Sequence, residues 1–367
     1  MSGTVFGTSD VKTQKKWSTN LAIDHARKSY FEGRFIGDSD NHIIQKKNDL
    51  ESDAGDRVSF DLCVQLRGKP TYGDAKLKGK TEGIKFFTDE VVIDQVRHGI
   101  DLGGKMSRKR IVHDVRKIGK GRLSDYFAKL VDEFFFIYLS GARGINEDFI
   151  EDTSFAGFAG NALQAPDADH ILYAGPATSK ATLTAADKMT RLVVERAQNK
   201  GKMMQARNPE TANMVPVSNG AEDQYVLLMS EDQAFDLRTA DTAGWVDFQK
   251  AAAASEGRNN PIFKGQLGLL GNTVLHAHRS VIRFSDYGAS SNVNAARALF
   301  LGRQAGVVAY GNSGGGMRYT WEEEVDDFGN NPQIASGFIA GIKKARFNNK
   351  DFGVISIDTA AKDPNAA

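Results

Sequence analysis

The stretch of sequence that decides the fold spans residues 57–144. It opens with RVSFDLCVQLR (57–67), in which apolar residues alternate with polar ones. This period-two alternation predicts a β-strand with one buried face. The next sixteen residues, GKPTYGDAKLKGKTEG (68–83), hold four glycines and four lysines, and a second β-rich run covers residues 84–96. We therefore expect a long two-stranded flap with a flexible, positively charged tip, because loops of this length in compact domains usually serve a function.

A long basic helix is predicted after the flap. Ser107 is a suitable N-cap, and apolar residues recur from Ile111 to Ile137 at spacings of three, four and nine. This stripe predicts one amphipathic helix of about thirty residues that ends near Ser140 and Gly141. Residues 107–122, its first part, hold seven Lys or Arg residues and a single acidic residue.

The remaining segments predict helices and strands without a βαβ rhythm, which indicates the α+β class. Residues 1–54 are polar with scattered aromatic anchors, and they predict an extended arm with one short helix near residues 21–31 that docks on another surface. The other predicted helices are 184–199 (with Thr184 and Asp187 as a capping box and Gly201 as the stop), 230–237 and 295–304, and the other predicted strands are 225–229, 273–284, 338–347 and 352–358.

Composition excludes several classes of protein. The chain has 367 residues, 41% hydrophobic residues and a net charge of +1, so no global field attracts it to nucleic acid or membrane. Cys63 is the only cysteine, which excludes an intramolecular disulfide and every Cys-rich metal site. Residues 1–17 are polar and no apolar run approaches the length of a membrane span, so we expect neither a secretion signal nor a membrane partner.

The most catalytic-looking motif is GIDLGGK (99–105), which has the spacing of a phosphate-binding loop. A true loop of this kind needs Ser or Thr directly after the lysine to bind magnesium, and Met106 stands there. A strand-to-helix turn is therefore the preferred interpretation. A nucleotide-dependent enzyme that uses Lys105, with Asp358 as the magnesium-side carboxylate, remains the first alternative.

Other catalytic patterns are incomplete. His276 and His278 would share one face of a strand, but a metal site needs further ligands, and the cluster of His170 with its neighbouring aspartates is no more complete. The sequence has no Gly-x-Ser-x-Gly elbow. We therefore expect no catalytic residue, cofactor or metal. A DNA-binding module that uses the basic helix 107–122 is the second alternative, although that part lacks aromatic residues for base stacking.

The features that remain are suited to interaction. Charged segments of opposite sign on one chain favour contacts in which one patch of a copy meets a different patch of the next copy. The residues expected at such a subunit interface are Lys69, Lys76, Lys78 and Lys80 of the loop and Glu322, Glu323 and Glu324 of an acidic run.

Several blocks of sequence resemble one known family. They are FTDEVVIDQVRH (87–98), GKMS (104–107) and LSGARG (139–144), followed by NPIF (260–263), residues 299–305, WEE (321–323) with DDFG (326–329), and GIKK (341–344) with Phe347. In order and spacing they are similar to the signature blocks of the coliphage N-four type of tailed-phage major capsid protein. The resemblance covers residues 55–360.

The resemblance implies a Hong Kong 97-like phage capsid fold. The expected parts are an N-terminal arm (1–54), an extended β-loop with its supporting strands (55–106), a peripheral domain with a long spine helix (107–207), an axial domain (208–331) and strands that return to the peripheral domain (332–367).

The same resemblance implies a structural protein and not an enzyme. Its copies would assemble in the host cytoplasm into hexamers and pentamers of an icosahedral head of a tailed phage, and would remain in the virion. The expected partners are copies of the same chain, packaged double-stranded DNA contacted non-specifically on the inner face, a portal, a decoration protein and a separate scaffolding protein, since no long N-terminal scaffolding segment is present.

Overall fold

Two large β-sheets and one long helix organise the chain. The computed structural model describes residues 21, 24–25, 27–51, 55–63, 66, 68–84, 86–207, 214–219, 222–240, 267–312 and 318–365. The helices are α1 (Lys105–Arg110), α2 (Val115–Ser140), α3 (Arg191–Arg207) and α4 (Glu231–Ala240), with 3-10 turns at Asp49–Glu51 and Lys180–Thr182.

The strands in chain order are β1 (Ile36–Gly37), β2 (Ile44–Lys47), β3 (Arg57–Cys63), β4 (Phe86–Val92), β5 (Asp94–Asp101), β6 (Gly157–Phe158), β7 (Asn161–Ala162), β8 (Ile171–Tyr173), β9 (Val217–Asn219), β10 (Glu222–Met229), β11 (Gly268–Leu270), β12 (Thr273–Ala277), β13 (Arg283–Tyr287), β14 (Val293–Leu301), β15 (Gly306–Tyr310), β16 (Tyr319–Asp326), β17 (Asn331–Lys344), β18 (Arg346–Phe347), β19 (Lys350–Asp351) and β20 (Val354–Ala360). The α+β mixture predicted from the sequence is confirmed.

The six-stranded sheet is built around β17. Its order is β1-β2-β15-β17-β16, and β5 also pairs with β17. The eight-stranded sheet has the order β11-β12-β10-β14-β20-β8, with β13 on β14 and β9 on β10. Sheet pairing crosses the expected boundary between residues 331 and 332, because β16 pairs with β17 from Tyr319↔Phe338 to Asp326↔Asn331. The strand β17, which spans that boundary, and the strand β20, which follows it, lie in different sheets.

The predicted thirty-residue helix is wrong at its beginning and right at its end. The chain forms α1, leaves the helical conformation at residues 111–114, and starts α2 with Asp114 as the N-cap in place of Ser107. The Asp114 carboxylate accepts hydrogen bonds from the backbone N–H groups of Arg116 and Lys117. At the other end Gly141 adopts a left-handed conformation (φ 71°), as a helix C-cap requires.

The second part of α2 forms the centre of the main core. It is buried almost without interruption from Phe127 to Ser140. Phe127 packs edge-on against Phe338 of β17, with ring centroids 5.6 Å apart. Gly119 allows the helix to approach the sheet closely, because a Cβ there would lie 2.8 Å from Ile334 Cδ1.

The arm packs on the body of its own chain. Helical residues at 21, 24, 25, 27 and 28 agree with the predicted short helix, while residues 1–20 lie outside the described part. Phe31 and Phe35 are buried in the main core, and Phe31 lies 5.0 Å from Phe135 of α2. Since β2 pairs in parallel with β15, residues 27–51 form turns and strands of the body and not an extended segment.

The helix predicted at residues 295–304 is wrong, because this segment forms most of β14. Ala and Arg favour helices intrinsically, but β14 lies between β10 and β20 and its inner residues are fully buried. Tertiary burial therefore overrides local propensity. The strand predicted at 225–229 is confirmed within β10, and the closing strands are confirmed in β17, β18 and β20.

The helix predicted at 184–199 lies further along the chain, as α3. Thr184 does donate to the Asp187 carboxylate, through its backbone N–H and its hydroxyl. The Asp187 carbonyl, however, accepts a hydrogen bond from the Ala360 N–H, and this bond ties the turn to β20. Gly201 does not end the helix. It allows close packing on the eight-stranded sheet, since a Cβ there would lie 3.3 Å from Phe300 Cε1. The helix predicted from Ser230 is confirmed as α4, with reciprocal Ser230 and Gln233 caps.

Candidate assembly surfaces

The predicted flap exists as the hairpin of β3 and β4. The strands pair from Arg57↔Val92 to Cys63↔Phe86, so β3 ends before the predicted residue 67. Val58, Phe60 and Val91 on its inner face are buried in a small core with Phe347 and Phe352. Phe60 meets Phe347 edge-on at 5.9 Å. The base of the hairpin is therefore fixed to the body, and its far end carries the loop.

The loop of residues 68–84 is almost wholly exposed. Among these residues only Thr71 is partly covered. Two tight turns shape the loop, closed by hydrogen bonds from the Ala75 N–H to the Tyr72 carbonyl and from the Lys80 N–H to the Leu77 carbonyl. Gly73 and Gly79 supply the left-handed backbone (φ 55° and 85°) within them. The four predicted lysines, Lys69, Lys76, Lys78 and Lys80, are all exposed.

The loop also presents apolar side chains that sequence reasoning missed. The large hydrophobic residues that are more than half exposed here are Leu66 (58%), Tyr72 (80%), Leu77 (59%), Ile84 (60%) and Phe86 (61%). Several large apolar side chains exposed within one short segment of a protein are typical of an interaction site. The signal was present in the sequence as apolar residues inside a Gly/Lys-rich loop, but we interpreted that loop only by its charge.

The acidic run lies on β16, at one edge of the six-stranded sheet. Glu322 and Glu324 are exposed. Glu323 is engaged within the chain, because its Oε1 accepts hydrogen bonds from the Arg116 guanidinium and from Trp321 Nε1. Of the three predicted acids, Glu322 and Glu324 are therefore the better placed to meet another molecule.

A second exposed corner joins α1 to the turn between β16 and β17, and we call it the rim. Asn330 links the two parts: its Oδ1 accepts from the Lys105 N–H at 3.1 Å, and its carbonyl accepts from Arg108 Nη2 at 3.3 Å. Phe328 is fully exposed and has a left-handed backbone (φ 50°), which is rare for a bulky residue. Val112 is 99% exposed after α1. Strained backbone that presents an apolar ring to solvent is typical of functional contacts.

The structure contradicts the phosphate-loop alternative. Gly99 lies within β5 and pairs with Ala335 of β17, so the predicted loop is largely strand. Gly103 (φ 75°) makes the bend, and Lys105 begins the six-residue α1 with its side chain exposed. Asp358 is buried in the other sheet, where Arg297 binds it. The residues 99–105 form the strand-to-helix turn that was the preferred interpretation.

The histidine motifs are occupied by packing and hydrogen bonds within the chain. His276 is fully buried, with its ring 5.6 Å from that of Phe35. His170 binds the Asp167 carboxylate through Nδ1 at 2.9 Å. Among the described residues no group of three or more His, Cys, Asp or Glu side chains could hold a metal ion. The Cys63 side chain and the glycine-rich residues 313–317 lie outside the described part.

The basic segment 107–122 does not form one DNA-reading face. It is divided between α1 and α2 by residues 111–114, and Arg116 is committed to Glu323. No helix in the described part of the chain is long and apolar enough to cross a membrane.

Comparisons with known proteins identify related chains. A family model described as phage capsid protein matches residues 5–363. The major capsid protein of Pseudomonas phage KPP25 is 27% identical over 366 residues, with 92% of each chain covered. The solved capsid of Ralstonia phage GP4 is 65% identical, covers all of both chains and superposes with a TM-score of 0.89.

A more distant structure shares the fold alone. The capsid asymmetric unit of cyanophage Pam1 is 21% identical, covers 92% of this chain and 93% of its own, and has a TM-score of 0.72. The matching family is a structural one, and neither the nucleotide-dependent enzyme nor the DNA-binding module finds support in these relatives.

Proposed function

This chain belongs to the phage capsid protein family and is a bacteriophage major capsid protein of the virion, and from that premise we propose that it builds the head shell by tiling with copies of itself. The observation that carries this mechanism is the loop of residues 68–84. It is exposed over almost its whole length and presents both lysines and apolar side chains, while its base is anchored in the body. Such a segment gains stability only when a neighbouring surface covers it.

The proposed architecture is the Hong Kong 97-like fold of the N-four type. The arm is 1–54, the β-loop region 55–106, the peripheral domain with α2 as spine helix 107–207, the axial domain 208–331, and the return strands 332–367. The support is the correspondence of parts: a hairpin with a long loop, a long helix packed on a sheet, and a second sheet. The pairing of β16 with β17 joins the last two segments at their boundary.

The proposed assembly is an icosahedral shell of hexamers and pentamers around the double-stranded DNA of a tailed phage, formed in the host cytoplasm. A separate scaffolding protein, a portal and a decoration protein are proposed partners, and DNA touches the inner face. The chain has no catalytic task in this proposal.

The first proposed contact joins the loop of one copy to β16 of its neighbour. Lys69, Lys76, Lys78 and Lys80 would face Glu322 and Glu324, with Glu323 orienting Arg116 behind them. Tyr72 and Leu77 would be covered in the same contact. Burial of these apolar side chains supplies affinity, while the charges select the partner surface and its orientation.

The second proposed contact is between rims of neighbouring copies. The rim carries basic α1 and, on the adjoining β16–β17 hairpin, the carboxylates of Glu324, Asp326 and Asp327. A surface that holds both signs of charge beside exposed Val112 and Phe328 can meet an equivalent surface of another copy.

A charge reversal in the loop tests this proposal. The triple variant Lys76→Glu, Lys78→Glu, Lys80→Glu should fold normally, because all three side chains are exposed, but should form no shells. Electron microscopy and sedimentation of the expressed protein give the result. The matched control Lys76→Arg, Lys78→Arg, Lys80→Arg keeps the charge and should assemble. Normal particles from the glutamate variant would defeat the proposed loop contact.

A further inference from the structure

A cavity of about 470 Å³ lies between the arm, one face of α2 and the turn after β12. We call it the basic cavity. Its charged lining comprises Lys28, Arg34, Lys129 and Arg279 with Asp125 and Asp132. The helix residues Asp125, Lys129 and Asp132 are spaced by four and three, so they lie on one face of α2. Four cations and two carboxylates leave the lining with excess positive charge.

Both carboxylates are already engaged. Asp125 pairs with Lys28 at 2.7 Å. Asp132 fixes the arm to α2, since its two oxygens accept hydrogen bonds from Ser29 Oγ (2.7 Å) and from the backbone N–H groups of Tyr30 (2.7 Å) and Phe31 (3.2 Å). Burial raises the pKa of Asp132, and these hydrogen bonds act against the rise. Neither carboxylate forms an ion pair with Lys129 or Arg279, because Asp125 is paired with Lys28 and Asp132 is occupied by neutral donors.

Two of those cations have no carboxylate partner among the described residues. Lys129 donates to the backbone carbonyl of Asp148, which is a neutral acceptor. Arg279 is exposed and makes no hydrogen bond or ion pair with any residue in the described ranges. Arg34 stands beside them, with its guanidinium 4.7 Å from the centre of the Tyr30 ring.

One wall of the cavity is formed by packed rings. His278 stacks on Phe136 at 4.9 Å and contacts the Tyr30 ring at 4.5 Å. Burial, together with the positive charges of Arg279 and Arg34, lowers the pKa of His278 to about 4, although the charge of Asp148 acts in the opposite direction. The Tyr30 hydroxyl is buried and has no hydrogen-bond partner in the described part of the chain.

We infer that the basic cavity binds an oxyanion of the phosphate class, held by Lys129 and Arg279 with Arg34 beside them. Arginine presents a planar fork of donors that matches phosphate oxygens, and lysine adds a point charge. The oxyanion has two possible sources, free phosphate or a phosphodiester of packaged DNA. Only the second source rests on the proposed function.

Titration of the full-length chain with inorganic phosphate, followed by calorimetry, tests the inference. The double variant Lys129→Gln, Arg279→Gln should lose at least tenfold in affinity. The control Lys202→Gln, Arg238→Gln removes one exposed lysine and one exposed arginine outside the cavity and should stay within twofold of the wild type. If the double variant unfolds, Arg279→Gln alone repeats the comparison, because Arg279 is exposed. Equal losses in both double variants, or no binding by the wild type, would overturn the inference.

A second titration with a short DNA duplex over a range of salt concentrations separates the two sources. If the cavity holds a phosphodiester, the variant should lower the slope of log K against log salt by about 0.9 for each lost contact, relative to the control. If duplex binding falls equally in both variants while phosphate binding depends on the cavity, the ligand is the free ion. Electron microscopy of the same proteins reports shell formation separately, so a failure of the proposed assembly is distinguished from a failure of this site.

Discussion

The pair Arg297–Asp358 and the loop of residues 68–84 use charge in opposite ways. Arg297 binds Asp358 with two hydrogen bonds of 2.7 and 2.8 Å, and both side chains are buried. The Tyr287 hydroxyl donates to Asp358 at 2.7 Å, and Arg297 Nη1 donates to the Ser140 carbonyl at 3.0 Å. Lys76, Lys78 and Lys80, in contrast, are exposed and form no ion pair with any described residue.

The difference teaches which charges serve the fold and which are free for other molecules. The Arg297 cluster connects β14, β20, β13 and the end of α2, so it joins the second sheet to the long helix. A buried charge that loses its partner is strongly destabilising, whereas an exposed unpaired lysine costs the fold little. The loop lysines are therefore available for the proposed contacts outside the chain, whereas the Arg297 cluster serves stability inside it.

The largest effect is expected from breaking the buried pair. Arg297→Met leaves Asp358 buried without its partner and should lower the free energy of unfolding by about 3–5 kcal/mol. Denaturant unfolding of the unassembled chain measures the loss. The double variant Arg297→Met, Asp358→Leu removes both charges and should recover much of the stability. If Arg297→Met unfolds like the wild type, the cluster does not hold the sheet and helix together.

A smaller effect on stability is expected at His278, which is less buried than the Arg297–Asp358 pair and less exposed than the loop lysines. Its pKa in the folded chain is about 4, below the ordinary value of 6.5. Between these values the unfolded chain takes up a proton that the folded chain does not, so this group should remove about 2–3 kcal/mol of stability as the pH falls from 7 to 4.5. The variant His278→Phe keeps a ring against Phe136 and should lack this component. Equal pH dependence of unfolding in the two proteins would contradict it.

Parts of the fold with strong local signals could be predicted from the sequence. The alternation in residues 57–63, the Ser230 and Gln233 caps and the glycine after Ser140 each fix their element locally. The failures share one cause. Residues 295–301 look helical but are buried between two strands, and Thr184 and Asp187 bond each other but are tied to β20. Long-range burial and pairing decided these cases, and a single sequence does not display them.

The sequence predicted only part of the candidate surfaces, because the rest depends on contacts between distant residues. The positions of the loop lysines follow from composition, and their exposure is confirmed. Glu323 looked equivalent to its neighbours until the structure placed Arg116 beside it. The rim depends on Asn330 bringing α1 to a turn more than two hundred residues away in sequence. Contacts between copies need a neighbouring surface, and no pattern within one chain contains it.

The smallest effect on folding, and the sharpest contrast with Arg297, is expected from the apolar residues of the loop. Tyr72 and Leu77 are 80% and 59% exposed, so Tyr72→Ser with Leu77→Ser should change the free energy of unfolding by less than about 0.5 kcal/mol. The same variant should raise the protein concentration needed for shell formation, because truncating well-packed interface residues costs about 1 kcal/mol or more at each contact.

Sedimentation across a concentration series measures the assembly threshold, and denaturant unfolding of the unassembled chain measures stability. The control Thr71→Ser, Thr81→Ser makes two conservative changes in the same loop and should leave both quantities unchanged. A double variant that assembles at the wild-type concentration would show that these side chains stay in solvent within the shell. A variant that loses both stability and assembly would show that Tyr72 and Leu77 make contacts inside their own chain. A loss of assembly alone is the signature of side chains that another copy covers, because such side chains contribute nothing to the stability of the folded monomer.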